Sequence, residues 1–229
     1  MEINALNLNR SLFQITTGKD KQRRVCGNGF VFYTGPDKGP VLALTPFSTR
    51  IAPNGRDTNL YHRARFENGF PSELFYVADH PGINLAVAVL EARGIEKKTA
   101  PAPLSFNLPP EGAQITCVKP DGSFPTSFRK PLETGSDSNQ FLLGPMAPAD
   151  YIGGAVVYEG RIIGMVSRAL YAPPGGEITG MSGGTSLRSI FDFLIRGVQG
   201  SVVHPDGCKY NLDTKIAAII NQMAEAFIV

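Results

Sequence analysis

Apolar residues along this chain come in short runs or in alternation, bounded by Gly, Pro, Asn and Asp, with a helical period only near the end. Leu12 to Thr17, Phe30 to Thr34, Val41 to Leu44, Leu74 to Val77 and Leu85 to Leu90 form one set of such runs. Gln114 to Lys119, Phe141 to Leu143, Ala155 to Tyr158, Arg161 to Val166 and Ile178 to Met181 form another. Runs this short with turn residues at both ends predict β-strands, and each set would build one barrel. Between them lies EKKTAPAPLSFNLPPE, residues 96–111, whose prolines block regular pairing and predict an extended connector. The stretch from Ser48 to Pro71 is too long for a hairpin turn and predicts a large loop.

Two later segments change period. In SLRSIFDFLIRGV, residues 186–198, Leu187, Ile190, Phe191, Leu194 and Ile195 fall on one helical face. Further on, Asn211 is a candidate cap for a helix whose Leu212, Ile216, Ile219, Ile220, Met223 and Phe227 make a second apolar stripe. That stripe either packs on its own domain or docks a partner or a second copy, because GVQGSVVHPDG before it can act as a flexible connector. The division predicted is residues 1–95 as a first barrel, 96–111 as a linker, 112–184 as a second barrel and 185–229 as a C-terminal helical segment.

Composition narrows the function classes. The 229 residues, 42% hydrophobic with 25 Gly and 18 Pro, suit a β-rich globular chain with many turns. A net charge of +2 argues against nucleic acid as the main ligand, which normally needs a concentrated basic surface. Lys19, Lys21, Arg23 and Arg24, and the scattered Arg50, Arg56, Arg63 and Arg65, lack interleaved aromatic residues and read as solvated charge. The N-terminus has no basic start followed by an apolar core, and no run is long enough to cross a membrane. Cys26, Cys117 and Cys208 show no C-x-x-C spacing, so reduced thiols and a cytoplasmic location are expected. His62, His80 and His204 lie far from any ligand pattern, and neither metal nor cofactor is expected.

The chemistry-bearing segments come next. Residues 150–167 read DYIGGAVVYEGRIIGMVS, which resembles the nucleophile turn of trypsin-like serine proteases, G-[DN]-S-G-G-P, followed by its [LV]-V-x-x-G-x-[VI]-[IV]-G hairpin. GNGFVFYTGPDKGPVLALTPF, residues 27–47, resembles the same family's G-x-G-F-V-V unit leading into V-L-T-A-A-H. DHPGINLAVAVL, residues 79–90, resembles its D-x-x-x-D-L-A-[VL]-L segment. The three stand in the family's order, and the pattern, nearest to the HtrA-like branch, extends over residues 11–197. The resemblance implies a mainly β fold of two packed antiparallel barrels with one or two C-terminal helices. It also places Pro46 at the general base, Asn84 at the orienting aspartate and Ile152 at the nucleophile. Proline accepts no proton, isoleucine attacks no carbonyl, and asparagine favours the wrong imidazole tautomer. A pseudoprotease is the expectation.

Such a protein would keep a binding role, as a peptide- or protein-binding or scaffold subunit of a larger assembly. In the resembled family peptides add as a strand beside the second barrel, which implies a groove at Met165, Ser167, Ala169 and Leu170, bordered by Asp150, Tyr151 and Gly153. The amides around Ile152 and Gly153 are expected to retain an oxyanion-hole-like arrangement. Two alternatives stay open. One is a hydrolase with a relocated nucleophile, Ser182 or Cys117, and His80 as base. GMSGGT, residues 180–185, looks like a nucleophile turn, but a helix follows where the hairpin should, so it reads as a glycine-rich strand end. The other is a purely structural subunit of a virion or enzyme complex, held by surface loops or the terminal helix.

Overall fold

The computed structural model describes residues 5–17, 24–35, 39–49, 62–67, 69, 71–91, 95, 99–130, 140–169, 180–200 and 208–227. A short helix, α1 (Ala5–Ser11), leads into β1 (Leu12–Thr17), followed by β2 (Arg24–Thr34), β3 (Val41–Thr45), β4 (His62–Phe66), β5 (Pro71–His80) and β6 (Leu85–Glu91). These six pair antiparallel in the order β5-β4-β1-β2-β3-β6, and β6 returns to β5, which closes a barrel. A second closed antiparallel barrel follows from β7 (Gln114–Lys119), β8 (Gly122–Arg129), β9 (Gln140–Gly144), β10 (Ala155–Tyr158), β11 (Arg161–Arg168) and β12 (Ser182–Ser186). The architecture is the two-barrel, mainly β fold expected from the sequence.

Alternation explains how the barrels join. β3 is buried at every position. Its odd positions Val41 and Ala43 enter the first barrel with Phe13, Ile15, Val31 and Phe66, whereas Leu42 and Leu44 face outward into a larger shared cluster. That cluster takes Phe30, Phe32 and Leu85 from the first barrel, Val157, Ile162 and Met165 from the second, and Leu187, Ile190 and Leu194 from the helix that follows. The second barrel's own interior is built on Ile115, Cys117, Phe128, Phe141, Val156 and Val166.

Some strands escape the apolar-run rule. β4 lies inside the predicted Ser48–Pro71 loop, where HRARF buries His62, Ala64 and Phe66 and alternates them with arginines. The alternation is present, but only two of the five residues are apolar. The strand predicted at Ile178–Met181 lies largely outside the described residues; the strand that is described there is β12, SGGTS. Its glycines make room for a ring, since a Cβ at Gly184 would sit 2.2 Å from Phe141 Cε2.

Helix α2 (Leu187–Val198) starts at Ser186, whose hydroxyl accepts from the Ser189 amide at 3.2 Å. A two-residue strand, β13 (Lys209–Tyr210), then extends the first sheet along β5, and the Asn211 amide donates to Val77 O at 2.7 Å. Tyr210 stacks on Phe193 of α2 at 4.8 Å, and its hydroxyl donates to the Phe193 carbonyl at 3.1 Å. Helix α3 (Thr214–Phe227) is capped by Asp213 rather than Asn211: the Ile216 amide donates to Asp213 Oδ1 at 2.8 Å. Ile216, Ile219 and Ile220 are buried in the shared cluster, so this stripe packs on its own chain. Among the described residues no helix is long and apolar enough to cross a membrane.

Candidate functional site

The three residues aligned with the triad meet where the barrels touch. β3 ends at Thr45, and after buried Pro46 the chain turns through a 3-10 segment, Phe47–Thr49. β5 and β6 are joined by another, Pro81–Ile83, which ends on Asn84 in the left-handed region, φ 53°, ψ 46°. Asparagine tolerates that conformation better than most side chains. From there Asn84 ties three segments together. Its carbonyl accepts from Phe47 N at 3.2 Å, its Oδ1 accepts from Ser48 N at 2.7 Å, and its Nδ2 donates to the Ser167 carbonyl on β11 at 2.6 Å.

Pro46 is buried. It packs under the nucleophile turn: a Cβ on Gly153 would lie 2.6 Å from Pro46 Cγ and 2.2 Å from the Asn28 carbonyl. The residue whose amide Asn84 holds is Ser48, which is exposed. Neither residue carries a ring nitrogen able to accept a proton.

The nucleophile turn is a 3-10 segment, Ala149–Tyr151, that ends on half-buried Ile152 and then on Gly153 at φ +82°. Its amides are used inside the chain. Tyr151 N donates to Pro148 O at 2.9 Å, Ile152 N to Ala149 O at 3.2 Å, Gly153 N to Val166 O at 2.8 Å and Gly154 N to Tyr151 O at 2.8 Å. The expected oxyanion-hole-like donors at Ile152 and Gly153 are therefore already bonded within the chain. This corrects the sequence expectation. The glycines do supply the required flexibility, but the 3-10 turn and the Val166 carbonyl consume the N–H groups that it was expected to offer.

The implied groove residues are mostly interior. Met165 is wholly buried in the shared cluster, and Ser167 is 1% exposed with its hydroxyl donating to Gly183 O at 3.1 Å. β11 is flanked by β10 as far as Met165, by Gly153 and Gly154 at Val166, and by Asn84 at the Ser167 carbonyl. Half-buried Ala169 gives its carbonyl to Ser182 Oγ at 2.8 Å. Leu170 lies outside the described residues. Tyr151 is buried, and burial raises its phenol pKa. Asp150 is exposed and ion-paired with Lys119 Nζ at 3.2 Å.

The relocated-nucleophile residues sit elsewhere. Ser182 is completely buried on β12, and its hydroxyl accepts from Ala147 N at 2.8 Å while lying against the Ala147 and Ala169 carbonyls. Cys117 is completely buried inside the second barrel, where desolvation pushes its thiol up to about 12. A thiol that holds its proton is a poor nucleophile. The ring of His80 lies on Phe193 of α2 at 5.1 Å, and His62 meets Tyr76 on the first barrel, Nδ1 to hydroxyl 3.2 Å. His204 lies outside the described residues.

Two contributors were not singled out from the sequence. Asn28 is the central residue of the G-N-G run in β2; only 3% exposed, it directs its carboxamide at the nucleophile turn. A polar residue of low strand propensity between two glycines was the available signal. Lys119, at the end of β7, faces both Asp121 and Asp150. The hydrogen bond to Asp121 leads the causes that raise its ammonium pKa, and the same contact lowers the Asp121 carboxyl.

Two closed antiparallel six-stranded barrels are also the fold of solved trypsin-like serine proteases. Solved structures with this fold include the HtrA-type protease AlgW in a serine-to-alanine form with a tripeptide. It has a TM-score of 0.59 and 14% identity over 88% of this chain and 63% of that one. A serine endoprotease from Yersinia pestis aligns with TM-score 0.57 and 17% identity, over 84% of this chain and 65% of that one. The active form of the Rv3671c protease from M. tuberculosis aligns with TM-score 0.60 and 13% identity, over 93% and 87%. The chain thus spans under two thirds of the first two. At these identities the likeness is one of fold. No protein-family model matches the sequence, and no curated protein matches it significantly.

Proposed function

We propose that this chain is a non-catalytic, protease-like protein that serves as a peptide- or protein-binding or scaffold subunit of a larger assembly. One observation carries the reading: at the nucleophile position stands Ile152, which has no attacking atom, and its amide is bonded to Ala149 O instead of facing a substrate. Acyl transfer needs a nucleophile, a base and donors for the developing oxyanion. At this site Pro46, Asn84 and Ile152 supply neither of the first two, and the turn bonds the Ile152 and Gly153 amides inside the chain. The interior positions of Ser182 and Cys117 weigh against a relocated nucleophile.

A purely structural subunit is the second reading, favoured by Asn84 Nδ2 on the Ser167 carbonyl, which a peptide added along β11 would have to displace. Fluorophosphonate and iodoacetamide labelling followed by intact-mass spectrometry tests the non-catalytic claim, with no stoichiometric adduct at Ser182 or Cys117 expected. A probe adduct abolished by one substitution at either residue would contradict it. Ala169→Trp separates the two binding modes: lost capture of a partner supports the groove, and retained capture supports other surfaces.

A further inference from the structure

Three peptide units of the nucleophile turn, 150–151, 151–152 and 152–153, are held at both ends. The carbonyl of Asp150 accepts from Asn28 Nδ2 at 2.7 Å, and the amide of that same unit, Tyr151 N, donates to Pro148 O. The carbonyl of Tyr151 accepts from Gly154 N, and Ile152 N donates to Ala149 O. The carbonyl of Ile152 accepts from Asn28 Nδ2 at 3.1 Å, and Gly153 N donates to Val166 O. In a trans peptide the C=O and N–H point in opposite directions, so whatever holds one end aims the other. Asn28 therefore aims two of the three units.

A second hold acts on the same turn through side chains. Gln14 of β1 donates to Asp121 at 3.3 Å, Asp121 pairs with Lys119, and Lys119 reaches the Asp150 carboxylate and lies 5.2 Å from the Tyr151 ring centroid. Asn28 and Gln14 both come from the first barrel, whereas the turn belongs to the second.

We propose that Asn28, seconded by Lys119, is a latch by which the first barrel keeps the 149–152 turn closed, with the Tyr151, Ile152 and Gly153 amides directed inward. Closure is then imposed by the partner barrel and not by the side chain at position 152. Replacing Ile152 with serine alone would leave the donors unavailable, and a ligand or partner that drew Asn28 away would free Tyr151 and Gly153 to turn outward. The latch concerns the same site as the proposed function, but the two fail separately: detected hydrolysis would overturn the non-catalytic reading, whereas only the behaviour of the turn decides the latch.

The test is amide hydrogen exchange by NMR on the full chain, wild type against Asn28→Ala. Expected is a rise of about tenfold or more at Tyr151, Ile152, Gly153 and Gly154, with amides of β9 and β12 unchanged. Unchanged exchange at the turn in a folded variant overturns the proposal. A uniform rise over both barrels also overturns it, since Asn28 would then contribute only general stability. If Asn28→Ala does not fold, Lys119→Met is measured on the same amides: a rise of about threefold or more confined to the turn supports the latch, and none overturns it.

Discussion

Replacing Asn84 with aspartate should make this protein less stable. In the native chain Asn84 Nδ2 lies 2.6 Å from the carbonyl of Ser167, a residue that is 1% exposed. Removing the donor leaves that buried acceptor without this partner, which costs about 1–3 kcal/mol. Asn84→Gly loses this bond together with the Oδ1 acceptor of the exposed Ser48 amide, while glycine keeps the left-handed backbone at φ 53° without strain. Asn84→Asp loses the same bond and also sets a carboxylate against a carbonyl oxygen, so about 2–4 kcal/mol is expected at pH 7. The two variants differ in their response to acid. A protonated carboxyl can donate to Ser167 O, so the folded state raises the pKa of the introduced carboxyl above its unfolded value of about 3.9. Folded protein then binds the proton more tightly than unfolded protein. The Asn84→Asp variant recovers stability as pH falls through that raised value, and the recovery is complete below about 3.9, whereas the Asn84→Gly variant shows no such recovery. Urea unfolding followed by circular dichroism, since the chain has no Trp, compares both variants with wild type at pH 7 and pH 4.5. Equal losses of stability in the two variants at both pH values would refute this assignment of the Asn84–Ser167 bond.

Other substitutions probe the remaining contacts. Gly153→Ala should cost several kcal/mol, on the order of 3 or more, because its Cβ would approach Asn28 O to 2.2 Å at φ +82°; thermal unfolding reads it. Ile220→Ala, at a fully buried position of α3, should cost about 2–5 kcal/mol and lower Tm by roughly 4–20 °C without changing the oligomeric state in sedimentation. Truncation after Gly207 removes β13 and the three isoleucines of α3 together, and loss of folded protein rather than mere loss of association is expected, as circular dichroism would report. Ser182→Ala should cost about 1–3 kcal/mol in urea unfolding, because the buried Ala147 amide loses its acceptor.

How much of this was legible in sequence depended on the residue type that did the work. Val41–Thr45 and Leu85–Glu91 are apolar on both faces because one face fills a barrel and the other the inter-barrel cluster, so their runs announce strands. HRARF and SGGTS do not: the first hides its alternation behind arginines, and the second buries glycines to admit Phe141. The placement of Asn84 and Ile152 beside the barrel junction followed from the order of three patterns. The orientation of the turn's amides could not follow from them, because it depends on Asn28, 122 positions from Asp150 in sequence, and on an ion pair between Lys119 and Asp150. Two glycines signal that a turn can adopt several shapes and leave open which one its neighbours impose. Likewise the apolar stripe of α3 was visible, but what it packs against was set by Tyr210 on Phe193 and by β13 on β5.

A site with neither nucleophile nor base should hydrolyse neither peptides nor esters. The most direct measurement is hydrolysis of a diverse fluorogenic peptide and ester library by purified wild type and by Ile152→Asp, from mildly acidic to mildly alkaline pH. Equal background rates are expected for both proteins at every pH. Turnover above buffer by the wild type, lost in Ile152→Asp or in Ser182→Ala, would contradict it.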